Sequence, residues 1–302
     1  MAACDCNVSF GNTGIADCVS IGSVTYRLIG VPTYDSSGVR NFIDTTATLD
    51  SAYFTARIND TDSASRWYPL PPMKNVEDVR GEDLTEGFND GSTSFIQEGS
   101  RTFMGIVIKK PSPELLGKMK SWRCANISVF AIDIDGNILG DGSEDGKLYP
   151  FKVDSETWSA KYMKTTDTTV AKIQLDYTYS KDENDENIKM ISAGETSIDV
   201  RDLEGLQDVS GVVSGIVATG FTATLSGIYG TAVAKNSIKG LVLADFSLYN
   251  ETTTSSISIT SVTETSDGVY VFVYAAQTAA DVMTLSLSKD GLEMTDISIV
   301  AV

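Results

Sequence analysis

The sequence predicts a mainly β protein in two domains. Residues 1–202 read as a β-sandwich or barrel-like domain with one flanking helix, and residues 203–302 as an immunoglobulin-like β-sandwich. Three observations carry this. Several segments alternate apolar and polar residues with a period of two, as half-buried strands do. One segment alone has helical spacing with a start signal. Composition changes after Val200: Thr and Ser become dense, and from Leu203 onward there is no Arg, Cys or Trp. A chain of 302 residues, 42% hydrophobic and 21% charged, is long and apolar enough for about two globular cores.

Taken in order, residues 1–10 (MAACDCNVSF) lack the basic start and apolar run of a secretory signal, and no stretch approaches a membrane span. A cytosolic location is therefore expected. Residues 24–31 (VTYRLIGV) and 53–58 (YFTARI) read as strands. From about residue 59 to 95 the pattern fades into a long arm, aromatic and proline-rich at Trp67-Tyr68-Pro69-Leu70-Pro71-Pro72-Met73, then acidic from Glu77 to Asp90. Such a long loop within a domain is usually functional. Proline fixes φ and removes N–H donors, so the arm can be stiff without being a strand. Trp67, Tyr68, Leu70 and Met73 are the candidate subunit-interface residues, since aromatic and Met side chains make good anchors. The competing reading, weighed equally, is that they pack on their own domain.

Residues 103–108 (FMGIVI) form the next strand. In 112–124 (SPELLGKMKSWRC), Ser112 can cap, Pro113 suits the first helical turn, and Glu114 complements the dipole. Leu115, Leu116, Met119 and Trp122 then make one apolar stripe, which fits a helix laid over an open sheet face better than a partner groove. Residues 127–134 (ISVFAIDI) are apolar on both faces, as in a central strand, and run through Asp135-Gly136-Asn137 into Ile138, a hairpin. In 170–179 (VAKIQLDYTY), Ile173, Leu175, Tyr177 and Tyr179 share one face. Beyond Leu203, six short strand candidates recur at 222–228, 241–249, 256–263, 268–275, 283–288 and 296–301. Asp267-Gly268 and Asp290-Gly291 mark hairpin turns.

Net charge and missing residue types exclude functions. The chain carries 41 Asp plus Glu against 23 Lys plus Arg and no histidine, a net −18. About −11 of this falls in residues 1–202 and −7 in the rest. That balance opposes a surface that grips nucleic-acid phosphates. Without histidine there is no Ser-His-Asp or Cys-His nucleophile system, so no enzyme activity is expected. Carboxylates for glycoside hydrolysis are plentiful, but no local pattern singles out a pair. Residues 211–215 (GVVSG) lack the context of a phosphate loop. A zinc site would need all of Cys4, Cys6, Cys18 and Cys124, whose spacing does not fit paired chelation. The expected state is reduced thiols, with Cys124 packed as a small apolar residue, although Cys18 could bridge to Cys4 or Cys6. Asp133-Ile134-Asp135-Gly136-Asn137 invites a calcium reading, but its glycine comes fourth and not sixth as in an EF-hand loop, so a hairpin turn is the simpler account. No metal or cofactor is expected.

The order of features in the first two thirds, and above all residues 132–138 (IDIDGNI) and 148–153 (LYPFKV), resembles the tail tube proteins of long-tailed bacteriophages. The resemblance implies homo-hexameric rings stacked into a hollow tube, with inner strands joined around a lumen and the long arm reaching a neighbouring ring. It also implies tape-measure and tail-terminator proteins as partners, genomic DNA passing without specific binding, and a place in the virion tail after assembly in the host cytoplasm. Many such proteins carry an immunoglobulin-like domain outside the tube, and its bulk favours a non-contractile tail. Two other classes stay open: a capsid decoration or fibre protein, and a carbohydrate-binding or adhesive surface protein using Trp67, Tyr68 and Trp158 to stack sugars.

Overall fold

The structure is a computed structural model describing residues 22–302. Cys4, Cys6 and Cys18 lie outside the described residues. The described residues are 50% strand and 10% helix, with one sheet curled into a half-barrel.

The central strand of that sheet is Ile127–Asp133, and all seven of its residues are buried. Thr25–Pro32 pairs with it antiparallel along one side. Its other side is shared between Ile138–Asp141, across the hairpin, and Phe151–Met163. The sheet then continues through Lys172–Tyr179 and Arg101–Val107 to Met73–Arg80, and Ile188–Ile191 closes the opposite end. Alternation places the strands as expected: Ile173, Leu175, Tyr177 and Tyr179 are buried, while Lys172, Gln174, Asp176 and Thr178 are only half-buried.

Because the central strands are apolar on both faces, the sheet carries a core on each. One core gathers Leu28, Phe103, Val129, Trp158 and Leu175. A helix, Pro113–Ser121, covers it, capped by the Ser112 side chain accepting from the Leu115 N–H and started by proline. Met119 is buried, and the Trp158 indole donates to the Met119 carbonyl at 2.7 Å. The helix stops sooner than its apolar stripe suggests. Cys124 takes a left-handed φ of 67°, which ends the turn and leaves its thiol exposed, not packed.

The second core, around Ile29, Phe54, Phe130 and Ile132, is covered by another helix, Ser51–Ile58. The sequence alone reads this segment as a strand. The Asp50 carboxylate accepts from the Tyr53 N–H and starts a helix, and Phe54 and Ile58, one turn apart, bury together.

Beyond residue 206 the strands form two facing sheets. Ile259–Ser266, Val269–Tyr274, Gly220–Gly230 and Gln207–Val217 are neighbours in one; Ser255–Ile257, Phe246–Asn250, Val282–Leu287 and Ile297–Val300 in the other. That is the strand order of an immunoglobulin domain. Phe221 and Phe272 stack at 4.7 Å between ring centroids, and Tyr270, Phe246 and Leu285 fill the space around them. Gln207–Val217 is missing from the sequence reading because glycines interrupt it. At Gly211 a Cβ would lie 2.3 Å from the end of the Ile297 side chain, so a larger residue there would have to displace it. No sheet among the described residues joins strands from before and after residue 206. Polar contacts link the two regions: Arg66 with Glu293 at 2.6 Å, Lys118 with Asp208 at 2.8 Å, and the Gly291 N–H with Asn59 at 2.8 Å.

Candidate assembly interface

The segment expected as one arm is three things. Up to Met73 it crosses the core of its own domain. Tyr68-Pro69 pairs with Thr25–Pro32, which draws the neighbouring apolar residues inward. Trp67 is 1% exposed and packs against Phe130 and Phe54, with ring centroids 5.4 Å and 6.0 Å away. Leu70 and Met73 are buried in the first core. Tyr68 is half-buried, its ring edge against Trp122 and its hydroxyl donating to the Ser63 carbonyl at 3.1 Å. Trp67, Leu70 and Met73 are therefore core residues and not exposed anchors: prolines stiffen the segment, but its apolar side chains still bury wherever the sheet offers space. The sugar-stacking role for Trp67 and Trp158 fails on the same ground, since Trp158 is also 1% exposed.

Met73–Arg80 is the edge strand of the curled sheet, paired with Arg101–Val107 across a bulge between Lys74 and Glu77. Only residues 81–99 leave the body. Leu84–Gly87 and Thr93–Gln97 form a separate two-stranded hairpin, with every residue from Glu82 to Glu98 exposed. Its loop is ordered: the Phe88 N–H donates to the Ser92 carbonyl at 2.8 Å, and the Asp90 carboxylate accepts from the Ser92 N–H at 2.9 Å and its hydroxyl at 2.6 Å. Leu84, Phe88, Phe95 and Ile96 are 51%, 48%, 60% and 52% exposed. A two-stranded hairpin without a packed face is marginal in water, and apolar side chains gathered on a projecting element mark an interaction surface.

The hairpin's root is fixed to the sheet by charged groups. Arg101 makes a two-pronged contact with Asp78, each bond 2.7 Å, and lies over the Tyr179 ring at 4.4 Å. Tyr179 donates to the same carboxylate at 3.2 Å, and burial, with Asp78 beside it, pushes its hydroxyl pKa up. Arg80 reaches Asp185 at 2.7 Å, Glu98 at 2.9 Å and the Gly99 carbonyl at 3.0 Å. The Arg80 hydrogen bond holds Asp185 below the ordinary carboxylate range. The two hairpin legs touch at Gly99, where a Cβ would stand 2.1 Å from the Gly81 carbonyl oxygen. Between this root and the strands beside it lies an open cleft of about 700 Å³, and Arg80, Glu98, Arg101, Asp154, Lys181 and Glu183 are among its lining. Its arginines are engaged in the pairs that set the hairpin's direction.

The acidic motif 133–137 closes the hairpin of the central strand. The Asp133 carboxylate accepts from the N–H groups of Ser23, Asp135 and Asn137 and from the Asn137 side-chain amide, at 2.7–3.0 Å. Its oxygens are spent on the turn.

No protein-family model matches this chain, and no curated protein matches it. No helix among the described residues is long and apolar enough to cross a membrane.

Proposed function

We propose that this chain is the repeating subunit of a bacteriophage tail tube, a non-enzymatic virion protein that forms stacked homo-hexameric rings around a channel for DNA. The observation that carries this reading is the projecting hairpin: four large apolar side chains on a structured element that the other described residues leave uncovered. Each is about half exposed, so covering it against a neighbouring subunit contributes roughly 1 kcal/mol before ordering costs.

Other features support it. The half-barrel sheet ends in the strand Met73–Arg80, whose outer edge has no partner among the described residues, and a subunit of a closed ring can satisfy such an edge on its neighbour. A net charge of −18 suits a conduit that must not bind the phosphates passing through it. The immunoglobulin-like sandwich is suited to the outside of the tube, and tape-measure and tail-terminator proteins are the expected partners at its ends.

Negative-stain electron microscopy of the purified chain is the test. Six-membered rings or hollow tubes are expected as concentration rises. Monodisperse monomers at high concentration overturn the reading.

A further inference from the structure

The hairpin is acidic as well as apolar. Residues 81–99 contain Glu82, Asp83, Glu86, Asp90 and Glu98 and no Lys or Arg. Only Glu98 is in an ion pair among the described residues, with Arg80 at its own root. The surface complementary to such an element is a cationic one.

The cations are concentrated in one place. Of 23 Lys plus Arg, five fall within fifteen residues: Lys109, Lys110, Lys118, Lys120 and Arg123, on and around the helix Pro113–Ser121, with Glu114 the single acid among them. Lys118 is paired with Asp208. The other four are exposed, and none is in an ion pair among the described residues. Ile108, 40% exposed, adds apolar surface next to Lys109. The dimensions agree: a nine-residue helix is about 14 Å long, and a five-residue strand about 17 Å.

Resting on the assembly reading above, we infer that the hairpin 81–99 of one subunit docks on the basic helix surface 108–123 of a second copy of this chain. The apolar side chains supply contact area. The opposite charges fix which surface is chosen and steer the encounter. Like charges elsewhere on the acidic body oppose competing modes of association.

The test is a charge exchange in the full-length protein. The side chains of Glu82 and Glu86 are exposed and make no hydrogen bond or ion pair among the described residues, so Glu82→Lys with Glu86→Lys should leave the fold intact. So should Lys109→Glu with Lys120→Glu. Each pair alone should raise the concentration needed for assembly about tenfold or more, and the four together should return it to within a few-fold of the parent. Circular dichroism and the thermal midpoint check that the variants are folded. A photo-cross-linker in place of Phe95 should join two chains, with the second attachment inside 108–126. If the parent assembles but the reversed variants assemble equally well, or the cross-link stays within one chain or lands elsewhere, the pairing is wrong while the assembly reading stands. If the parent never assembles, the assembly reading itself fails.

Discussion

Asp133 illustrates how one side chain can hold a turn at the centre of a sheet. It is fully buried, yet it stays a carboxylate because both oxygens accept hydrogen bonds. Burial pushes its pKa up, but the donors from Ser23, Asn137 and Asp135 outweigh that and hold it below the ordinary carboxylate value. A depressed carboxylate pKa adds stability that is fully present above the unfolded-state value, about 3.9, and is lost as pH falls through the folded-state value. Asp133→Asn keeps the size but turns one acceptor into a donor facing the Ser23 N–H and the Asn137 amide. We expect a loss of about 1–3 kcal/mol at neutral pH and a shallower acid limb in the stability curve, measured by urea unfolding from pH 7 downward. An unchanged midpoint at pH 7 would count against this account.

Among the elements, those with one clean apolar period facing a core were legible in the sequence, and those that are short, interrupted by glycine or exposed on both faces were not. The alternation in Lys172–Tyr179 and the proline-started, serine-capped helix Pro113–Ser121 follow directly from side chains that face a core of the same domain. Ser51–Ile58 misleads because a short segment satisfies both periods, and only Asp50, the cap, distinguishes them. The hairpin strands Leu84–Gly87 and Thr93–Gln97 show no period at all, since neither face is buried among the described residues. Within residues 59–95 the richest aromatic run, at Trp67, is core, and the exposed apolar side chains lie further along, at Leu84, Phe88, Phe95 and Ile96. Two substitutions separate the roles. Trp67→Ala should cost about 3–5 kcal/mol of folding stability. Phe95→Ala should change stability by no more than about 0.5 kcal/mol yet impede assembly, as read by denaturant midpoints and light scattering. A large stability loss at Phe95 would place it in a core and remove the hairpin from consideration as an interface.

At the level of the whole molecule, the apolar clusters divide between Leu206 and Val209, and an acidic excess lies on both sides. About −11 belongs to residues 1–202 and −7 to the rest, and the apolar cluster of the sandwich, from Val209 to Ala301, shares no member with the other two. The described polar links between the regions are few, and exposed ion pairs such as Lys118 with Asp208 contribute about 0–1 kcal/mol. Arg66 is the more demanding contact, because its guanidinium is largely covered while paired with Glu293. Cutting the chain after Leu206 removes that partner and leaves Arg66 its hydrogen bond to the Asp60 carbonyl. Leu203 and Leu206, which pack against the Ile29 and Phe54 core, are kept. The truncated chain should therefore fold with a slightly lower thermal midpoint. It retains both the hairpin 81–99 and the basic helix, so it should still form tubes, narrower on the outside by the thickness of the missing sandwich. Electron microscopy of the truncated protein measures both outcomes. A folded chain that no longer assembles would mean that the sandwich contributes to the contacts between subunits and is not an external appendage.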